Sequence, residues 1–193
     1  MKVIERTGSE VASKLARLQE KLWVLQVQQG DPSAFRSLVN LYERQLFYYL
    51  MRFARNQDHA ADALQEVWLT VFRGLKILRA PEAFRVWIYQ IAHDKIASLI
   101  RRECRKEQFL EVLSEGQPEE ELDENPLFGR MELAHFALDS LSPEHREVLT
   151  LRFLEDLSLE EIAEALRCRL GTVKSRLHYA KLEARKFLEE TKL

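Results

Sequence analysis

Positive charge is concentrated near the end of the chain, on residues that could bind a polyanion. Between Arg167 and Lys186 there are seven Lys or Arg residues and one acid, Glu183, although the whole chain has a net charge of −2. Nucleic acid carries dense negative charge, so a local positive potential matters more for its binding than the net charge of the protein. This segment is therefore a candidate nucleic-acid contact.

The same segment separates an apolar stripe from a polar face. Apolar residues recur at helical intervals, at Val173, Leu177, Ala180 and Ala184. The opposite face and its flanks carry cations and hydrogen-bonding side chains: Arg169, Thr172, Lys174, Ser175, Arg176, His178 and Tyr179. On a helix that enters the major groove, small polar side chains can reach base edges while flanking cations hold phosphates.

A short helix is predicted directly before this one. Residues 158–161 read SLEE and fit a capping box, in which Ser158 accepts from the backbone three residues on and Glu161 reaches back. This helix ends at the Arg167-Cys168-Arg169 break, and the next begins near Gly171. Two short helices joined by such a turn form a helix-turn-helix. The alternative is an ordinary solvated basic helix, and the capped partner helix favours DNA binding over it.

Residues that could support catalysis or bind a metal form no matching set. Cys104 and Cys168 are far apart and make no CxxC pair, and the five His residues add no ligand-spaced cluster, so a disulfide framework or a zinc site is not expected. Tyr179 has cations nearby but no acid–base partners, and no Gly-rich phosphate loop is present. We expect no enzymatic activity, no metal and no cofactor.

Composition and charge indicate which elements must position these residues. Only six Gly and five Pro interrupt polar–apolar patterns of helical period, which predicts an all-α fold. The first helix carries an apolar stripe at Val11, Leu15, Leu18, Leu22 and Leu25. No window approaches the roughly 20 apolar residues of a transmembrane helix, and the charged N-terminus is not a signal peptide. These features predict a cytoplasmic protein without membrane insertion.

An acidic stretch divides the chain into two helical parts. Residues 106–132 carry two bases and nine acids, a net charge of −7. Such a run is typical of a solvated, self-repelling linker between two small domains. The alternative is an exposed helix with an acidic face, which Phe109, Leu110, Val112 and Leu113 favour for its first part.

Motifs on both sides of the linker resemble one protein family. One segment reads LSPEHREVLTLRFLEDLSLEEIAEALRCRLGTVKSRLHYAKLEARKFL. It resembles the C-terminal domain of bacterial RNA polymerase sigma factors, in particular that of the small extracytoplasmic-function (ECF) group. Three earlier segments read GDPSAFRSLVNLYERQL, DALQEVWLTVF and FRVWIYQIAHDKIASLIRR. In order and spacing they resemble the N-terminal sigma domain, which docks on polymerase and opens the promoter. The resemblance covers about residues 22–105 and 130–188.

The resemblance implies a transcription initiation factor with two working domains. It would bind RNA polymerase core and direct it to specific promoters by reading minus-thirty-five duplex and melted minus-ten DNA. The implied parts are an N-terminal extension over 1–21, sigma region 2 over 22–105, an acidic linker over 106–129 and sigma region 4 over 130–193. The alternative is a stand-alone helix-turn-helix regulator acting without polymerase core, which would leave DALQEVW and FRVWIYQIAHDKI unexplained.

The resemblance implies roles for particular residues. Asp62, Gln65 and Glu66 lie on one face of the helix that resembles the docking element for the clamp helices of the beta-prime subunit. The segment that resembles the minus-ten element contributes Lys76, Arg79, Asp94, Arg101 and Arg102, whose cations can hold phosphates. The helix-turn-helix residues named above would contact the minus-thirty-five duplex. Promoter DNA is thus a second partner, and an anti-sigma protein is a further partner that the resemblance allows.

Three residues depart from the family pattern. Arg167 stands where the turn of the helix-turn-helix usually has Gly. A non-Gly residue in the left-handed region costs ~1 kcal/mol, so the backbone of this turn can differ from the usual turn of the family. Asp94 follows His93 where Arg-Asn is common, and a carboxylate there repels phosphate. Tyr179 replaces a usual Arg, which removes one cation from the DNA face.

Overall fold

The computed structural model describes the backbone of residues 2–110 and 136–191 and the side chains of residues 14–101 and 136–191. The described residues form helices and turns and no strand, which confirms the predicted all-α fold. The chain divides into two compact units, Met1–Ile96 and Ala97–Leu193. Among the described residues, no helix is both long enough and apolar enough to cross a membrane.

The first unit is built on four helices joined by short turns. They are α1 (Lys2–Gln28), α2 (Pro32–Met51), α3 (Gln57–Gly74) and α4 (Phe84–Leu110), with 3-10 turns at Leu75–Ile77 and Pro81–Ala83 before α4. α4 continues past the division between the units, so residues 106–110, which the sequence assigned to the linker, are helical. The rest of the predicted linker, and the predicted start of the second domain at 125–126, lie outside the described residues.

Side-chain caps fix where α2 and α3 begin. The backbone N–H of Ser33 donates to Oδ1 of Asp31 at 2.7 Å, and Pro32 occupies the first helical position, as expected for residues that satisfy the free N–H groups of a helix start. Hydrogen bonds from the Ser33 side chain and backbone lower the pKa of Asp31. Asn56 caps α3 in the same way, accepting from the N–H of His59 at 3.0 Å.

Aromatic rings fill the centre of the first unit. Tyr42 and Tyr49 of α2 meet Phe84 and Tyr89 of α4 edge to face, with ring centroids 5.7 Å apart for Tyr42–Phe84 and 5.6 Å for Tyr49–Tyr89. All four side chains are buried. Edge-to-face pairs of this kind add to the stabilisation that comes from burial alone. They fix α4 against α2 and so set the direction in which the outer face of α4 points.

Gly74 permits the close approach of α4 to the end of α3. A Cβ atom on Gly74 would lie 2.8 Å and 3.0 Å from two ring carbons of Trp87. Those distances are shorter than carbon atoms tolerate without a shift of the indole. The glycine is therefore required by packing, since its backbone has an ordinary helical conformation.

We expect Gly74→Ala to lower the free energy of unfolding of the first unit by about 1–3 kcal/mol, because the added methyl group overpacks the contact with Trp87. All three Trp residues lie in the first unit, so urea unfolding followed by Trp fluorescence reports on it. Gly171→Ala is the matched control: apart from the adjoining backbone and chain neighbours, nothing lies within 4 Å of the place its added methyl group would take. Its unfolding, followed by circular dichroism, should show no loss of stability. Equal stability of Gly74→Ala and the wild type would contradict this packing.

α1 is seated on the first unit by polar groups that the sequence pattern did not single out. The hydroxyl of Tyr42 donates to the carboxylate of buried Glu20. The amide of Gln28 donates to the carbonyl oxygens of Leu75 and Leu78 at 3.1 and 2.8 Å. On the same side of α1, Val24 and Val27 are buried.

The apolar stripe predicted on α1 lies on the opposite side from these contacts. Its described members, Leu15, Leu18, Leu22 and Leu25, are exposed, and the side chain of Val11 lies outside the described residues. The helix packs through the face that carries Glu20 and Gln28, because these polar groups find partners on α2 and the turn after α3.

The second unit contains three described helices that lead into one another. Residues 136–139 form a single helical turn. The longer elements are α5 (Pro143–Leu149), which continues as the π-helical turn Thr150–Leu154, then α6 (Leu159–Ala165) and α7 (Leu170–Glu190). Val148, Leu151, Ile162 and Val173 are completely buried and form the core between them. The guanidinium of Arg146 donates to the carbonyl oxygens of Leu138 and Asp139 at 3.0 and 2.6 Å, which ties the first turn to α5.

Candidate nucleic-acid interface

The capping box predicted for the short helix α6 is present. The N–H of Ser158 donates to Oε2 of Glu161 at 2.8 Å, and the N–H of Glu161 donates to Oγ of Ser158 at 3.1 Å. Both bonds satisfy N–H groups that a helix start otherwise leaves without a partner. α6 therefore starts at a defined residue, which fixes its register against α7.

The turn between α6 and α7 keeps a left-handed residue although that residue is not glycine. Arg167 has φ 49°. Its N–H donates to the carbonyl of Glu164 at 3.1 Å, and the N–H of Cys168 donates to the carbonyl of Ala163 at 2.9 Å. These two bonds are the Schellman pattern of a helix end. The departure from Gly has therefore left this turn geometry in place.

Arg167→Gly should make the second unit more stable than Arg167→Ala does, by about 1 kcal/mol, because glycine adopts the left-handed conformation without a Cβ penalty. Both variants lose the same side chain, so their difference reports the backbone conformation alone. Thermal unfolding followed by circular dichroism measures it. If the two variants unfold at the same temperature, Arg167 is not left-handed in solution.

α7 presents the predicted polar face on the side away from the core. Val173, Leu177 and Ala180 are buried, and Ala184 is half-buried. The seven predicted DNA-binding residues all lie off this stripe. Arg169, Lys174, Ser175, His178 and Tyr179 are exposed, and Thr172 and Arg176 are half-buried.

Local contacts preset the orientation of this face. The hydroxyl of Ser175 donates to the carbonyl oxygen of Thr172 at 3.0 Å, so its own oxygen is left to accept a hydrogen bond. The rings of His178 and Tyr179 meet edge to face with centroids 5.4 Å apart. Such contacts reduce the side-chain freedom that would be lost on binding. The face thus offers both hydrogen-bonding groups and a flat aromatic edge.

The charges on α7 are not all equally available. Arg185 pairs with Glu189 at 2.8 Å, and Lys186 pairs with Glu190 at 3.7 Å. The acid within the cluster, Glu183, is directed to Nδ1 of His145 on α5 at 2.8 Å. The positive charge left for a polyanion is therefore greatest in the first half of α7, where Lys174 lies beside the polar face.

Cys168 lies in the turn next to this face and is a free thiol. Burial raises its pKa, and the nearby charges of Arg176 and Glu147 act in opposite directions. The thiol therefore stays protonated at neutral pH, which makes it a weak nucleophile. The side chain of Cys104 lies outside the described residues.

A second candidate surface lies on α3 in the first unit. Asp62, Gln65 and Glu66 lie on α3 at spacings of three and four residues, which places them on one side of the helix. Asp62, Gln65 and Glu66 are all exposed. Oε2 of Glu66 lies 2.6 Å from Nζ of Lys95 on α4. Sequence reasoning missed Lys95, because a pair separated by 29 residues leaves no local pattern.

The predicted minus-ten residues lie along the turns before α4 and on α4 itself. Lys76 and Arg79 are exposed in the connection between α3 and α4, and Asp94 and Arg101 are exposed on α4. The backbone of Arg102 belongs to α4, and its side chain lies outside the described residues. Asp94 is the chain neighbour of Lys95, which pairs with Glu66.

Two further exposed apolar side chains were not identified from the sequence. Phe153 and Leu154 end the π-helical turn and are more than half exposed. The ammonium group of Lys181 lies 5.1 Å from the centre of the Phe153 ring, a cation–π distance. Exposed apolar groups of this kind are common at protein contacts.

Within the part of the chain that the structure describes, no three His, Cys, Asp or Glu side chains are grouped to hold a metal ion.

Comparison with known proteins identifies both units. Sigma-70 region 2 matches residues 38–106, and Sigma-70 region 4 matches residues 137–183. The second match includes α5, α6 and the first two-thirds of α7. The first includes most of α2, all of α3 and α4 up to residue 106. α1 precedes both.

Full-length relatives match over both units. The chain is 32% identical to the ECF RNA polymerase sigma-E factor of Haemophilus influenzae over 177 residues, 86% of this chain and 93% of that protein. It is 32% identical to the RNA polymerase sigma-H factor of Pseudomonas aeruginosa over 178 residues, 86% of this chain and 92% of that protein. The fold is similar to that of the sigma factor RpoE of Bartonella quintana, solved with the anti-sigma factor NepR, with a TM-score of 0.68 and 20% identity over 80% of this chain and 96% of that one. With two sigma-70 regions in order and relatives matched over nine-tenths of their length, the chain belongs to the ECF family of RNA polymerase sigma factors.

Proposed function

We propose that this protein is a transcription initiation factor that binds RNA polymerase core and directs it to specific promoters, with the residue roles given below. One observation carries those roles: a single chain presents a helix-turn-helix with an exposed polar and cationic face, and a separate acidic face on α3. A stand-alone regulator would need the first surface but has no use for the second. The protein acts by binding, without catalysis, and in the cytoplasm, where polymerase and promoter DNA are found.

The α3 face is the proposed docking surface for the clamp helices of the beta-prime subunit. Asp62, Gln65 and Glu66 lie on a helix whose opposite side is buried. That side carries Ala63, Val67 and the other buried residues of α3. Rigid packing of the inner side holds the outer side in a fixed position. Accessible carboxylates on such a face fit a cationic partner helix, where complementary charge raises the association rate and selects the partner.

The connection before α4 and the outer side of α4 are the proposed contacts with the melted minus-ten strand. Lys76, Arg79 and Arg101 are accessible cations that can hold backbone phosphates. Asp94 lies between them in the chain and carries the opposite charge. Its carboxylate can accept a hydrogen bond from a base amino group, so we propose that Asp94 contributes to base preference and not to phosphate binding.

α7 is the proposed recognition helix for the minus-thirty-five duplex. Lys174 lies at the edge of the polar face and Arg169 at the helix start, where they can contact phosphates. Ser175 and His178 occupy the centre of the face, where side chains reach base edges in the major groove. Tyr179 adds an aromatic edge in place of a cation, which favours apolar contact with a thymine methyl group.

An anti-sigma protein is a further proposed partner. The Bartonella quintana sigma factor, which has a similar fold, was solved in complex with one. A protein that covers the α3 face would compete directly with polymerase core for the same side chains. Such competition needs no change in the DNA-binding helix.

Binding measured with and without polymerase core tests this function. We expect the protein alone to sediment as a monomer with weak, salt-sensitive DNA binding, because phosphate contacts supply most of the affinity when few bases are read. Addition of core should yield promoter-specific complexes in which permanganate detects melted DNA. A dimer that binds one operator sequence tightly without core would instead establish the stand-alone regulator.

A further inference from the structure

The exposed side of α1 carries a narrow row of leucines that the proposed function does not use. Leu15, Leu18, Leu22 and Leu25 are exposed by 61%, 58%, 52% and 36%. Large apolar side chains are normally found singly on a protein surface, and a contiguous row of them indicates a contact site. This row, here called the α1 leucine seam, lies before residue 38, where the sigma-70 region 2 match begins.

The spacing of the α1 leucine seam is that of a coiled coil. Its members are three, four and three residues apart, the alternation of the a and d positions of a heptad. At 100° per residue they occupy an arc of about 80° and extend for about 15 Å along the helix. An arc this narrow suits one partner helix. Insertion into a membrane surface uses a much broader apolar face.

The seam is directed away from the core of the first unit. Buried Glu20, Val24 and Val27 lie on the other side of α1, about 170° around the helix from the centre of the seam. The hydroxyl of Tyr42 and the amide contacts of Gln28 hold that inner side in place. A partner can therefore cover the leucines without disturbing the packing of α1 on the first unit.

Charge around the seam specifies the partner. One flank carries Lys14 and Lys21, with Arg17 beyond them, and all three are exposed or half-exposed. The other flank carries uncharged Gln19 and Gln26. Lys21 also lies 3.4 Å from Glu82, an exposed pair of the kind that is worth little and is easily exchanged. Since Glu20 is buried on the inner side, the outer side of residues 14–28 carries only positive charge.

A second copy of this chain does not match this surface. In a parallel pair the lysine flank of one copy would face the glutamine flank of the other, and in an antiparallel pair lysine would face lysine. Neither arrangement provides an opposite charge. A helix with leucines in its own seam and acidic residues at its flanks would meet both requirements.

We propose that the α1 leucine seam is a docking site for an acidic amphipathic helix of another protein, which pairs with α1 as a short two-stranded coiled coil. The site shares no residue with the α3 face or with α7. Its occupant would bind side chains that the proposed polymerase and DNA contacts do not use. This proposal does not depend on the residue roles given under the proposed function.

Designed peptides of known heptad pattern test the site on the full-length protein. The probe has Leu at a and d and Glu at e and g over three heptads, and its counterpart has Lys at e and g. We expect the acidic peptide to bind at least about tenfold more tightly than the basic one in fluorescence anisotropy, with affinity falling as salt is added. Equal binding of both peptides, or none of either, would overturn the proposal.

Matched variants locate the binding on the seam. Leu18→Glu with Leu22→Glu should weaken the acidic peptide at least about tenfold, since both leucines lose apolar burial and gain repulsion. Leu41→Glu, on a comparably exposed leucine of α2 (42% exposed), should leave binding unchanged. Lys14→Glu with Lys21→Glu should reverse the preference toward the basic peptide. An effect of Leu41→Glu equal to that of the seam variant would count against the site.

Two other occupants are distinguished by direct measurements on the same proteins. Sedimentation equilibrium should show the wild type as a monomer. If the wild type is instead a dimer and Leu18→Glu/Leu22→Glu is a monomer, the occupant of the seam is a second copy of this chain and the proposal is overturned. Flotation with phosphatidylglycerol vesicles should leave the protein unbound. Vesicle binding that the same variant abolishes would identify a membrane surface instead and overturn the proposal.

Discussion

Gln65→Ala combined with Glu66→Lys should weaken binding to RNA polymerase core by at least about tenfold, because a charge reversal converts attraction to a cationic partner into repulsion. Both side chains are exposed on α3, so the variant should fold normally. Titration of labelled protein with core, followed by anisotropy, gives the dissociation constant. Binding of the minus-thirty-five duplex by the protein alone should be unchanged, since α7 is untouched.

The matched control for this variant lies on α2. Glu43 and Gln45 are exposed residues of the same two types in the same unit, and Gln45→Ala with Glu43→Lys changes the charge by the same amount. It should retain core affinity. Because Glu66→Lys also places a second cation near Lys95, urea unfolding should accompany the titration. An unaltered core affinity in a folded variant would remove the docking role from this face.

Lys174→Ala should weaken binding to matched and scrambled duplexes alike, whereas substitutions at Ser175 or His178 should change the preferred sequence. Phosphate contacts give affinity without sequence information, and each one lost reduces the magnitude of the log–log salt slope by ~0.9. A good bidentate contact favours the correct base over a wrong one by about 1–3 kcal/mol. Loss of such a contact therefore changes the base preference at the position that it reads. The two classes of residue should therefore separate cleanly.

Holoenzyme selection from duplexes randomised in the minus-thirty-five region identifies the preferred sequence for each variant. A salt series on the selected and scrambled duplexes then gives the slopes. Lys181→Ala is the control, because its ammonium group lies over Phe153 and is further along the helix. If Lys174→Ala alters the preferred sequence while Ser175→Ala and His178→Ala weaken all duplexes equally, α7 contacts DNA through a different side.

Local sequence signals predicted the helix-turn-helix well. A cap such as Ser158 and Glu161 depends on residues three apart, and a buried stripe such as Val173–Leu177–Ala180 depends on one helix. These interactions are complete within a few turns of chain. Even the left-handed turn at Arg167 is held by hydrogen bonds that reach back only three and five positions.

The packing faces of the first unit were predicted less well, because burial there depends on distant partners. On α3 the helical pattern of the sequence predicts five inward residues: Ala61, Leu64, Trp68, Val71 and Phe72. Leu64 and Val71 are buried as predicted, but the other buried positions are Ala60, Ala63 and Val67. Small residues allow close helix approach, and their contribution is invisible to a pattern that weights large apolar groups. Phe72 is exposed. The pairing of Glu66 with Lys95 was likewise not predictable from either helix by itself.

The pair formed by Glu66 and Lys95 has a thermodynamic consequence for initiation. Glu66 belongs to the proposed polymerase face, and Lys95 is the chain neighbour of Asp94 in the proposed minus-ten region. In these proposed roles, a core subunit that engages Glu66 would withdraw it from Lys95 and leave that ammonium group to attract a strand phosphate. By reciprocity, a strand that attracts Lys95 releases Glu66 for core by the same factor. An exposed pair limits this coupling to about fivefold or less, enough to make each ligand favour arrival of the other.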